Sequence, residues 1–230
     1  MTITTSTLTR AAAIAAALAG LIYIVVQFIH PHEEVAALTT QAWLIVHVLS
    51  YAMALLGLVG VSGIYLRQVR QFGILGLIGY VMFGLFFALQ SAVNFAEAFI
   101  APLITADAPQ FAEDFVGLFS GHVAVTDLGP LAALPLIGSA LYIGGALLFG
   151  IAILRARVLS RGAGILLIAA AAVTPIAGAL LPHALERMAA IPMGLALIWL
   201  GFSLWSDQRK STASLLPSTD ESRLHRTPTV

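Results

Sequence analysis

Six apolar stretches, each bounded by polar or charged positions, divide the chain: 11–29, 42–66, 72–100, 131–154, 162–181 and 188–205. A hydrocarbon core of about 30 Å is crossed by roughly 20 helical residues, so each stretch is long enough to span it. The pattern predicts an all-α, polytopic membrane bundle of six transmembrane helices over residues 1–206. The first run follows Arg10 as a secretory signal would. It continues to Ile29, however, beyond the ~7–15 apolar residues of a signal, and reads as a retained span. From Asp207 the composition turns Ser/Thr/Pro-rich with mixed charge, and 207–230 is expected to be a disordered tail. Between the third and fourth runs, 102–130 is too long for a simple turn. There Phe111, Phe115, Val116 and Phe119 recur at helical spacing, with Glu113 and Asp114 opposite and Gly121 placed to end a helix. A short amphipathic helix is expected in that loop, either as a lid or as an aromatic anchor among headgroups.

Charge supplies the orientation. Arg67, Arg70, Arg155, Arg157 and Arg161 fall in two connections, with Arg10, Arg209 and Lys210 on the flanks. The alternate connections carry Glu33, Glu34, Asp107, Glu113, Asp114, Asp127 and Glu186, and Arg187 as their one basic residue. Lysine and arginine are retained on the cytoplasmic side, so both termini are expected in the cytoplasm.

Composition then narrows the chemistry. Hydrophobic residues make up 60% of the chain and charged ones 10%, with zero formal net charge, so nothing draws it to nucleic acid. With no cysteine, disulfides, thiolate metal sites, iron–sulfur clusters and a cysteine nucleophile are excluded. The only lysine, Lys210, lies past the last span, which excludes a buried Schiff base.

The polar residues within the apolar runs concentrate near the acidic ends. Counting about twenty residues outward from each basic end reaches His30, His47 and the neighbourhood of His183, at one depth. Tyr23, Gln27 and His30 share a stripe on the first span, and Gln90, Asn94 and Glu97 repeat that spacing on the third. His47 shares a face with Ser50 and Tyr51, while Ser139 with Tyr142 and Thr174 with Gly178 make lesser stripes. Polar groups facing lipid are costly, so these stripes are expected to face one another around an outward-opening vestibule. The inner halves hold no Asp, Glu, His, Lys or Arg. There Gly57, Gly60 and Gly63 are mirrored by Gly73, Gly76 and Gly79, which predicts a tightly packed hairpin.

Three chemistries are on offer. His30, His32, His47, His122 and His183 with Glu33, Glu34 and Glu97 supply imidazole and carboxylate donors suited to a divalent metal. Of these, His30, His47, His183 and Glu97 form the candidate metal set. No zincin-like spacing is present, and the alternative is that His30, His32 and His183 are interfacial residues beside proline helix ends. Haem is disfavoured, since histidines at one depth allow a single haem and no transmembrane electron path. Hydrolysis lacks its parts: Glu33–Glu34 is not followed by an arginine, and neither Ser120 nor Ser139 has a base and orienting group indicated. No catalytic residue is therefore assigned.

Gly20-Leu21-Ile22-Tyr23-Ile24 leading to His30-Pro31 carries a resemblance. Leu66-Arg67-Gln68-Val69-Arg70-Gln71 and the segment 145–152 followed by Arg155-Ala156-Arg157 extend it. Over roughly residues 8–206 the chain resembles a group of six-span bacterial integral membrane proteins with no assigned activity. That resemblance implies the six-helix topology and a bacterial plasma membrane, and it transfers no functional residue. The expected function is binding of a small molecule or cation in the outer vestibule by His47, Asn94, Glu97, His30, Gln27 and Gln90, as a sensor, accessory or uptake component. A metal-dependent membrane enzyme using the same layer and a structural or partner-binding subunit are the alternatives.

Overall fold

In the computed structural model, residues 4–180 and 187–213 are described, and the described chain is helical without a strand. Helix α1 (Thr5–Ile29) starts where the Thr4 hydroxyl accepts from the Thr7 amide at 3.2 Å. It stops at His30, which precedes Pro31 and takes the extended conformation that a following proline favours.

The second and third apolar runs form one long element, α2 (Gln41–Phe95), capped by Thr40 and broken only at Gly73. Gly73 has φ 58° and ψ −162°, a region open essentially to glycine. There the chain reverses. Tyr65 packs on Tyr80 at 4.4 Å, Gly57 lies against Phe87, Tyr51 packs on Phe95 and Trp43 bonds Glu97, so the arms 41–72 and 74–95 lie antiparallel. The sequence pattern places the connection at 67–71. Those residues stay helical, with Gln68 fully buried, because glycine at 73 is the position that tolerates the reversal.

Beyond Phe95 come one wide π turn (Ala96–Ile100), then α3 (Ala101–Ile104) and α4 (Pro109–Val116). Three longer helices follow: α5 (Leu134–Ala156), α6 (Arg161–Leu180) and α7 (Ile191–Ala213). The last helix runs through Asp207 to Ala213, past the point where the composition suggested a tail; residues 214–230 lie outside the described residues. Among the described residues, four segments are long and apolar enough to cross a membrane: Thr5–Ile29, Gln41–Ile104, Gly129–Ala156 and Arg187–Arg209. The apolar part of α6, Arg161–Ala177, is shorter.

The helices close into a ring. The first arm of α2 packs on α1, the second on α5, α5 on α6, α6 on α7, and α7 returns to α1. Small residues set these approaches. A Cβ on Gly20 would strike the Gly194 carbonyl, one on Gly60 would fall 2.7 Å from Ala16 Cα, and one on Gly145 2.6 Å from the Phe83 nitrogen. The hairpin packs closely as expected, with Gly57 against Phe87 of the opposite arm, but not every mirrored glycine faces across it. Gly60 and Gly63 open toward α1, Gly79 toward the Phe149 backbone, and Gly76 toward Phe72 of its own hairpin. A residue without a side chain accepts whichever neighbour comes closest, so glycine spacing alone names no partner. Phe72, Phe83, Phe86, Phe87 and Phe149 interlock in the interior, with Ile64, Leu167, Met193 and Leu197 also buried.

Charge segregates to the two ends of this ring. At one, Arg67 Nε reaches Asp207 at 2.5 Å and the Arg10 guanidinium sits 5.7 Å from the Trp205 ring centroid. At the other, Glu33 pairs with Arg187, and Asp114 with His122.

Candidate functional site

A cavity of about 300 Å³ opens at the acidic end. Its walls include Tyr23, Gln27 and His30 from α1, His47 and Ser50 from the first arm of α2, and Gln90 and Asn94 from the second. Glu97 enters from the π turn, and Thr174 from α6. All six residues that the polar stripes nominate for ligand binding therefore line one space. Ser139 and Tyr51, which the stripes grouped with them, do not: Ser139 is exposed and Tyr51 packs on Phe95.

Local geometry explains how the side chains converge. Trp43 is fully buried and its indole Nε1 donates to the Glu97 carbonyl at 2.8 Å. A π turn offsets carbonyls from their usual helical partners, and the indole takes up the one at Glu97. The Glu97 side chain then meets His47, with Oε2 3.4 Å from Nε2. His47 Nδ1 donates to the Trp43 carbonyl at 2.8 Å, and the imidazole stacks on the indole with centroids 4.0 Å apart. A carbonyl only accepts, so Nδ1 carries the proton and Nε2 is the nitrogen turned to Glu97. The His30 ring stands edge-on to His47 at 5.2 Å, its Nδ1 bonded to the Pro31 carbonyl at 2.8 Å.

Glu33 and Arg187 form an ion pair in the cavity wall, tying the end of α1 to the start of α7. Counted by depth, Glu33 lies outside the hydrocarbon and carries little weight; pairing with Arg187 half-buries it and brings it into the wall. Its neighbours His32 and Glu34 are exposed. Trp43 and Arg187 are the lining residues that the stripes missed. Trp43 had a signal, since it stands one turn from His47 on the same face. Arg187 had none in local spacing.

Val116 and Phe119 also line the cavity, so the 109–119 segment lies over it. α4 turns Val116 of its expected apolar face inward, and with it Asp114 from the expected polar face. Ala112, Asp114 and Val116 are buried while Phe119 stays 42% exposed. The cause is Asp114, which serves as a hub for the loop instead of facing water. It accepts from the Thr126 hydroxyl at 2.5 Å, the Thr126 and Val125 amides at 2.7 and 3.0 Å, and His122 and Gln110 at 2.9 and 3.1 Å. The Thr126 hydroxyl bond leads in holding this carboxyl well below the usual range, against the opposing pull of burial.

The described members of the candidate metal set, His30, His47 and Glu97, do not form a three-ligand group. Among the described residues no three His, Asp or Glu side chains converge on a point that could hold a metal ion. His30 and His47 are each anchored through Nδ1, Glu33 is taken by Arg187, and His122 is held by Asp114 away from the cavity. His183 lies outside the described residues.

Below the cavity the polar groups end on the backbone. Tyr142 Oη lies 3.0 Å from Thr174 Oγ1, and Thr174 donates to the Ala170 carbonyl at 3.1 Å, so the hydroxyl path leads no further. The Phe86 ring lies tilted against Tyr142 at 5.0 Å, where the aromatic interior begins. Compared with family models, curated proteins and solved structures, the chain shows no match.

Proposed function

We propose that the chain is a bacterial plasma-membrane protein whose polar cavity opens outward and binds a small molecule or cation, as a sensor, accessory or uptake component. One observation carries the reading: Gln27, His30, His47, Gln90, Asn94 and Glu97 converge from three helical segments and the π turn on a single space of about 300 Å³. Polar side chains within apolar helices are costly and face a cavity or one another. A ring that needed only mutual hydrogen bonds to hold together would have closed over them.

In this reading the two arms of α2 and the short α6 each cross the bilayer, giving six crossings. The arginine-rich end lies in the cytoplasm with both termini, and the 109–119 segment covers the outer mouth as a lid. The aromatic interior and the absence of Asp, Glu, His, Lys and Arg from the inner halves support a site reached from outside over a through-going path.

Thermal unfolding in detergent against a panel of small solutes tests the proposal. A bound solute raises Tm by mass action. The expected result is a solute-dependent rise that Ala190→Phe, which fills the cavity wall, abolishes. Identical responses of the wild-type and filled proteins across the panel would refute it.

A further inference from the structure

Six donors in this cavity wall are turned away from it. Gln27 Nε2 donates to the Tyr23 carbonyl at 2.9 Å, Asn94 Nδ2 to the Gln90 carbonyl at 2.7 Å and Thr174 Oγ1 to the Ala170 carbonyl at 3.1 Å. The His47 and His30 Nδ1 atoms do the same toward the carbonyls of Trp43 and Pro31, and the Trp43 indole is spent on Glu97. Since each partner is a carbonyl, the amide and imidazole orientations follow from chemistry. Among the described residues no donor reaches Gln27 Oε1 or Asn94 Oδ1.

Beside the Ser50 hydroxyl and the Gln90 amide, what remains for a guest is acceptor-rich: the amide oxygens of Gln27 and Asn94, the Glu97 carboxyl and His47 Nε2. Each amide keeps a second N–H, but among the described residues Arg187 is the only arginine or lysine in the wall. Arg187 is committed to Glu33, and those two charges offset one another. The wall therefore asks for a positively charged guest that brings its own donors. A bare metal ion fits poorly, because the acceptors surround about 300 Å³ without converging on one point.

We infer that the guest is an organic ammonium ion with at least two N–H donors, hydrogen-bonded to Glu97, His47 Nε2 and the amide oxygens of Asn94 and Gln27. This rests on the reading that the cavity binds a small solute and names that solute's class.

The test uses the whole protein in detergent with Trp199→Phe and Trp205→Phe, leaving Trp43 as the cavity reporter. The probes are butylammonium and 1,4-diaminobutane, set against tetramethylammonium, which has the charge without N–H, and against butanol, butyrate and Mg²⁺. Butylammonium or diaminobutane should shift Trp43 emission and raise Tm. Glu97→Gln should weaken that binding at least tenfold, and Asn94→Leu should weaken it independently. Gln27→Leu stands in if either variant fails to fold. If tetramethylammonium, butanol, butyrate or Mg²⁺ acts as strongly, and Ala190→Phe abolishes the response, the cavity binds solutes but the ammonium class is wrong. If no probe of any class moves either signal, the inference and the binding reading fall together.

Discussion

His47, from the first arm of the α2 hairpin, and Glu97, from the π turn that follows the second, meet at 3.4 Å, and the Trp43 indole holds them in that arrangement. The same tryptophan accepts the His47 Nδ1 proton on its backbone carbonyl and gives its own indole proton to the Glu97 carbonyl. One residue thus fixes both members of the pair. Replacing Trp43 with Phe keeps the ring but leaves the Glu97 carbonyl without its donor. The expected cost is about 1–3 kcal/mol of stability, read as a lowered Tm. An unchanged Tm would mean that the π turn holds Glu97 by itself.

The two ion pairs that brace the ring differ in burial, and their strengths should follow. Glu33 and Arg187 side chains are 18% and 19% exposed, against 23% and 34% for Asp207 and Arg67. Double-mutant cycles to Gln on each pair measure the coupling. The Arg67–Asp207 pair should give about 0.2–1 kcal/mol, and Glu33–Arg187 more. Equal couplings would remove the claim that Glu33–Arg187 braces the cavity wall.

Polar stripes were readable before any coordinates, because a 3.6-residue period fixes which side chains share a face. Gln27 with His30, and Gln90 with Asn94 and Glu97, reach the same cavity for that reason. Burial of Asp114 was not readable. Its donors come from the loop after α4, at Val125 and Thr126, whose conformation no periodicity encodes. Nor was the Glu33–Arg187 pair, whose partners lie 154 residues apart in the chain. The reversal at Gly73 was legible as a glycine but not as the turn, since charged residues at 67–71 looked like the better connection.

Asp114 makes the covering loop sensitive to acid. Its folded carboxyl is held below the ordinary value of roughly 3.9, so its contribution to stability is complete above about pH 4. The contribution is lost as pH falls from there toward the depressed folded value. Tm measured against pH should show an added decline below about pH 4 in the wild type that Asp114→Asn lacks. Asp114→Asn should also be less stable at pH 7. A parallel decline in both proteins would contradict this assignment.

Backbone proximity at Gly20 makes a graded test of the ring closure. A Cβ there meets the Gly194 carbonyl and, at 2.9 Å, the Ile198 nitrogen, neither of which yields easily. At Gly84 the nearest atom is Leu58 Cδ1 at 3.5 Å, an ordinary contact. Gly20→Ala should cost about 1–3 kcal/mol, whereas Gly84→Ala should be neutral or slightly stabilising. Reversal of that order would place the α1–α7 contact elsewhere.

The central claim is that the cavity opens to the outer face and the arginine-rich end lies inside. The chain contains no cysteine, so a single introduced thiol reports on one site. Ser50→Cys places it in the cavity wall and Ser62→Cys beside Arg67 at the opposite end. Labelling with a membrane-impermeant maleimide should modify Ser50→Cys in intact cells, and Ser62→Cys only in inverted vesicles. Labelling of Ser50→Cys from the cytoplasmic side alone would contradict the account.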